Sequence, residues 1–132
     1  MKTLIFTCLL AISTGLSAEW ALFATNVDGN KYWIDRESLR KKENNVWVWA
    51  RERYAKQLGG VAGSCLTHYK IDCKNFSIQI LESTFYSDKN WKKILQSEKS
   101  QHQSSHIPPN SAWETLANIV CHSPQGVKCY LY

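Results

Sequence analysis

Two cysteines constrain this chain more than any other feature. The stretch Cys65–Cys73 alternates as a half-buried strand does: Cys65, Thr67, Tyr69, Ile71 and Cys73 share one face, and Leu66, His68, Lys70 and Asp72 share the other. Further on, Ser111-x-x-Glu114 is a capping box, in which Ser and Glu side chains satisfy backbone N–H groups at a helix start. Trp113, Leu116, Ala117, Val120 and Cys121 then recur on one helical face, and Ser123-Pro124 ends the run. Cys121 lies on the helix's apolar stripe and Cys73 on one strand face, so a Cys73–Cys121 bond is sterically natural. It fastens a helix onto a sheet.

Residues 1–18 read as a secretory signal, with Lys2, the apolar stretch Leu4 to Ile12 and a small-residue exit from Ser13 to Ala18. That segment is too short for a membrane span, and no later one approaches the required length. Cys8 has no lipidation setting, so the chain is expected to be exported to the periplasm, cell surface or medium without a lipid anchor. Residues 19–132 then form a single domain. Its four cysteines imply disulfides, in three connectivities that spacing alone leaves open. With Cys73 joined to Cys121, Cys65 is left to pair with Cys129.

Elsewhere, Trp20–Thr25 and Lys31–Asp35 flank an Asp28-Gly29 hairpin signal. A short helical turn is expected around Glu37-Ser38-Leu39, and another turn at Asn44-Asn45. Val46–Tyr54 reads as a long strand, with Val46, Val48, Ala50 and Tyr54 on one side and Trp47, Trp49, Arg51 and Arg53 on the other. Gln57 to Ser64 is expected to be an uncharged flexible loop, Phe76–Tyr86 a strand, Trp91–Leu95 a last short strand and Gln96–His106 a polar loop. The fold class is α+β: an antiparallel sheet of five or six strands with one C-terminal helix packed on a face and disulfide-linked to it.

In this order the chain resembles the bacterial surface-adhesin protein E family. The resemblance rests on Lys31-Tyr32-Trp33-Ile34-Asp35-Arg36-Glu37-Ser38-Leu39, Val46-x-x-Trp49, His68-Tyr69-Lys70-Ile71-Asp72-Cys73, Phe85-Tyr86-Ser87-Asp88 and the pattern from Pro108 to Cys121. It implies the same sheet-and-helix fold, homodimerisation, and binding of host extracellular proteins of the vitronectin, laminin or plasminogen class. Cys65 and Cys129 look like additions to the family's single cysteine pair, and this signal lacks the lipidation cysteine usual in those adhesins.

Catalytic constellations are thin. His102 and His106 stand four apart in a stretch that Ser104, Ser105 and Pro108 make a poor helix, so no metal is expected. His68 and His122 with Lys70 offer only a remote likeness to a small secreted ribonuclease. Glu52 and Asp72 pair only if their strands are neighbours. No cofactor motif occurs, and no nucleic-acid-binding module.

Binding has more to work with. The formal charge of +5 falls to +4 once Lys2 is removed, which favours acidic partners, polyanionic glycans among them. Arg51, Arg53 and Lys56 follow the Trp-rich strand, and Lys89, Lys92 and Lys93 surround Trp91: basic residues interleaved with aromatics. Trp47 and Trp49 are themselves read as core residues. The sequence points to an exported binding protein, with a periplasmic inhibitor of a host hydrolase such as lysozyme as the alternative.

Overall fold

A computed structural model describes residues 19–99 and 103–122. The strands are β1 (Trp20–Thr25), β2 (Lys31–Asp35), β3 (Arg40–Lys42), β4 (Asn45–Leu58), β5 (Ala62–Asp72), β6 (Ser77–Tyr86), β7 (Ile94–Glu98) and β8 (Ser105–His106). They form one antiparallel sheet in the order β1-β2-β4-β5-β6-β7, with β3 on β4 and β8 on β6. Helix α1 (Ala112–His122) packs across one face.

The eight strands correct the expected five or six. β3 and β8 are three and two residues long, polar and too short to display an alternation. β3 takes the place beside β4 that β2 vacates: β2 pairs with Ala50 to Arg53, β3 with Asn45 to Trp47. Between them runs a 3-10 turn, Arg36–Ser38, capped by the Asp35 carboxylate accepting from Glu37 N–H. The β4 ladder is interrupted there, and Ser38 Oγ accepts from Trp49 N–H at 3.0 Å, so the backbone donor stays satisfied.

Gln57 to Ser64 is not a flexible loop. β4 runs on to Leu58 and β5 starts at Ala62, so a tight turn through Gly59 and Gly60, both at positive φ, joins two long strands. The last strand lies three residues later than expected, at Ile94–Glu98, because Trp91 is held in the preceding turn.

The core lies between sheet and helix. Ile34, Leu39, Val46, Val48, Ala50, Tyr69 and Ile71 of the sheet side meet Leu116, Ala117 and Val120 of the helix, with Ile107 closing the cluster. The capping box forms one residue displaced: Glu114 N–H donates to Ser111 Oγ, while the Glu114 carboxylate accepts from Asn110 N–H. Trp113 Nε1 donates to the Tyr69 hydroxyl at 3.1 Å and orients the first helical turn. The Cys73–Cys121 disulfide is present, with Cα atoms 5.6 Å apart, and pins the far end of the helix. Residues 1–18, His102 and Cys129 lie outside the described residues.

Candidate functional site

The helix leaves the opposite face of the sheet open, and the outward row of β4 dominates it. Trp47, Trp49, Arg51 and Arg53 stand every second residue along that row, about 6.6 Å apart in an extended strand. Beside them on β5 are Lys70, His68 and Leu66, paired with Trp47, Trp49 and Arg51. On the other side Trp33 of β2 pairs with Arg51, and Lys31 with Arg53. None of the five tryptophans on this face, Trp20, Trp33, Trp47, Trp49 and Trp91, is a buried core residue. Trp47 and Trp49 are half-buried here, which corrects the expectation that they fill it. The β4 alternation already puts them opposite Val46 and Val48, which occupy the core instead.

Each aromatic ring on this face has a cationic or ring partner. Trp49 stacks parallel on His68 with centroids 4.4 Å apart, and Lys70 Nζ lies 5.7 Å from the Trp47 ring. Burial lowers the His68 pKa, with Glu82 opposing the shift, so the stacked imidazole is held toward its neutral form. At the Arg51 end the density is greatest. Its guanidinium lies 3.8 Å from the Trp91 ring centre, 4.3 Å from Trp20 and 5.9 Å from Trp33. Arg53 lies 5.1 Å from both Trp33 and Trp91, and those two indoles meet edge to face. Desolvation, then the charge of Arg53, lowers the Arg51 pKa; the group stays cationic at any ordinary pH.

Trp91 reaches this face because its turn is tightly built. Asp88 accepts from the backbone N–H groups of Asn90, Lys92 and Lys93, which holds its carboxyl below the usual carboxylate range. Ser64 Oγ donates to Asp88 O at 2.6 Å, and Trp91 Nε1 donates to Cys65 O at 3.1 Å. The indole is thereby laid over β4 and β5 with its N–H satisfied.

The sequence-predicted basic residues therefore divide. Arg51, Arg53 and Trp91 converge. Lys89 instead folds inward, its ammonium donating to Tyr54 O and Ala55 O at 2.9 Å each, and its own carbonyl accepts from Arg53 Nε. Lys56, Lys92 and Lys93 are exposed, outside the ring cluster. Trp20 and Trp33 escaped the sequence reading as site residues. Period-two alternation puts Trp33 on the face of Lys31, but nothing local reveals that β2 lies beside β4.

The other constellations come apart. β4 and β5 are indeed neighbours, but Glu52 pairs with Cys65 and Asp72 with Asn45, far along the ladder. Asp72 is engaged locally, accepting from Lys74 N–H, Asn75 N–H and the Asn75 side chain. His68 lies on the open face and His122 at the end of the helix on the other, with the sheet between them. His106 is exposed in β8, and no three metal-ligating side chains converge among the described residues. No helix among them is long and apolar enough to cross a membrane.

The comparisons with known proteins agree with this architecture. Crystal form II of Haemophilus influenzae protein E is similar at a TM-score of 0.58 and 19% identity, over 80% of this chain and 89% of that one. The selenomethionine form of that protein gives 0.58 and 18%, over 84% and 95%. Protein E from non-typeable Haemophilus influenzae gives 0.51 and 17%, over 80% and 77%. At such identities the likeness is one of fold. Among curated proteins none matches the chain. The family described as surface-adhesin protein E, a group of adhesins and not a known class of enzymes, matches over residues 20–122, and the chain belongs to that family.

Proposed function

We propose that this chain is an exported adhesin, freed of residues 1–18, that binds host extracellular proteins through the open face of its sheet. The observation carrying this reading is the cluster of Trp20, Trp33 and Trp91 around Arg51 on the face that the helix leaves uncovered. Tryptophan and arginine are the residues most enriched among those that dominate binding energy at protein interfaces. A half-buried group of them, already ordered by mutual contact, loses little conformational freedom on binding. Family membership supplies the class of partner, and vitronectin, laminin and plasminogen are its natural representatives.

The test is binding of the oxidised mature protein to each of these immobilised proteins, with heparin alongside, over a salt series. Saturable binding that survives moderate salt and weakens about tenfold or more in Trp91→Ala supports the reading. Binding only to heparin, decaying smoothly with salt, points to a generic basic surface and sinks it.

A further inference from the structure

The Arg51 guanidinium lies against ring faces. Its guanidinium carbon lies 3.8 Å from the Trp91 ring centre and 4.3 Å from that of Trp20, and among the described residues it donates no hydrogen bond. Nε is buried without a partner, and the residue as a whole is half-buried. Arg53, by contrast, spends its donors on Lys89 O and Asn90 Oδ1. Asp35, across the sheet from Trp20, supplies charge to Arg51 but is occupied in capping the 3-10 turn.

A guanidinium donates hydrogen bonds only in its own plane, and here two ring faces lie over it. Its orientation is fixed before any ligand arrives, and the surrounding indoles exclude water from its flanks. Those are the conditions under which a planar, two-pronged acceptor is bound most strongly.

We propose that Arg51 is a pre-formed receptor for one carboxylate, an aspartate or glutamate side chain of an extended acidic segment in a partner protein. The proposal rests on the open face being the binding surface and specifies what that face recognises. A protein segment suits the surroundings better than a sulfated glycan does. Leu22, 52% exposed and paired with Trp33, and half-buried Leu66, paired with Arg51, offer apolar contacts to residues flanking the carboxylate. A polyanion needs a row of free cations. Arg53 and Lys89, nearest the rings, are engaged by backbone and side-chain oxygens. The exposed Lys56, Lys92 and Lys93 stand outside the ring cluster, so a polyanion would meet its cations away from Arg51.

The probe is a synthetic peptide of alternating glutamate and leucine, blocked at both ends, with its glutamine counterpart and a heparin oligosaccharide as comparisons. Binding is followed by NMR of the unaltered protein and by titration calorimetry. The expected result is that the Trp20 indole and Arg51 guanidinium resonances shift on adding the glutamate peptide and not the glutamine one. Arg51→Lys, which keeps the charge but loses the planar fork, weakens binding about tenfold or more, while Lys56→Gln, at an exposed position outside the ring cluster, changes it little. Equal binding by wild type and Arg51→Lys, or no shift at either group, overturns the proposal. So does heparin binding more tightly than the peptide at the same resonances. Because the resonance test needs no substitution, a variant that misfolds does not leave the matter open. The two readings also fail separately: a host protein bound equally by Arg51→Lys leaves the adhesin intact and removes the receptor. An Arg51-dependent peptide site without any host-protein binding does the reverse.

Discussion

Glu52 and Cys65 face each other across β4 and β5 on the helix side of the sheet. Glu52 lines a small cavity together with Tyr32, Tyr69, Phe23 and Trp113 where the first turn of α1 meets the sheet. Among the described residues no charged group of opposite sign compensates it, and burial raises its pKa to about 7. The same negative charge, second to desolvation, helps raise the pKa values of Tyr32 and Tyr69, and burial with a smaller effect from Glu52 pushes the Cys65 thiol to about 11.

A pH dependence of stability follows from Glu52. The folded state holds this proton more tightly than the unfolded chain does, whose glutamate titrates near 4.5. Stability is therefore full below that pH and falls as pH rises from about 4.5 to about 7. The loss amounts to about 3 kcal/mol if the whole shift is expressed. Asp72 and Asp88, whose pKa values are lowered, act in the opposite sense and only in acid, while His68, lowered by burial, opposes Glu52 within the same window and makes the net decline smaller. Urea denaturation at pH 5 and pH 8 should show the decline in wild type. Glu52→Gln should abolish it and be the more stable of the two at pH 8; a variant as pH-dependent as wild type refutes the account.

The Cys73–Cys121 bond closes a separation of 48 residues, for which chain entropy gives about 4 kcal/mol. Cys73→Ser with Cys121→Ser should lower stability by up to that amount and loosen α1 first, since the bond anchors its last turn. Amide exchange across 112–122, compared with that of β4 and β5, measures this. Protection of the helix equal to wild type would show that packing of Leu116, Ala117 and Val120 alone holds it.

The legible parts of the fold were those with a local period. Alternation in β4 and β5 placed Val46, Val48, Ala50, Tyr54, Cys65, Thr67, Tyr69 and Ile71 inward but left out Glu52, which shares their face. The capping box with its apolar stripe located α1 and the face that carries Cys121. β3 and β8 were invisible because two or three polar residues pair only where a neighbouring strand leaves backbone groups free. The site was half legible for the same reason. Arg51, Arg53 and Trp91 stood out as basic residues among aromatics, but Trp20 and Trp33 join them through the β2–β4 pairing, which no local pattern encodes. The hydrogen bonds of Lys89 were not legible, because sequence does not reveal that the β4 carbonyls of Tyr54 and Ala55 lie within reach of its ammonium.

Cys65 is a free thiol among the described residues and only 2% exposed, sharing a hydrogen bond with Thr67. We propose that it pairs with Cys129 in the exported protein. Reach permits it: β5 carries the chain about 26 Å from Cys65 to Cys73, and an extended chain from Cys121 to Cys129 spans about the same. A dithiol-disulfide oxidant would accept the two electrons and two protons. Alkylation in denaturant without reductant, followed by peptide mass spectrometry, should find neither cysteine labelled. Label on both would leave Cys65 a solitary buried thiol, which burial protects only while the chain is folded.

The placement of Trp91 depends on a glycine far from it in sequence. A Cβ on Gly63 would come within 2.8 Å of Asp88 O and 3.0 Å of Ser87 O, both of them backbone atoms that cannot swing aside. Gly63→Ala must therefore displace the turn whose Asp88 carboxylate organises Asn90, Lys92 and Lys93, and with it the indole lying on Arg51. The expected cost is about 1–3 kcal/mol of stability, as for other overpacked sites. Near-ultraviolet circular dichroism should change as the edge-to-face contact of Trp33 with Trp91 is lost, while the far-ultraviolet spectrum of the sheet is kept. Host-protein binding should fall to the level of Trp91→Ala. An unchanged near-ultraviolet spectrum would mean that the turn absorbs the extra methyl without moving the ring, and that Gly63 plays no part in presenting the site.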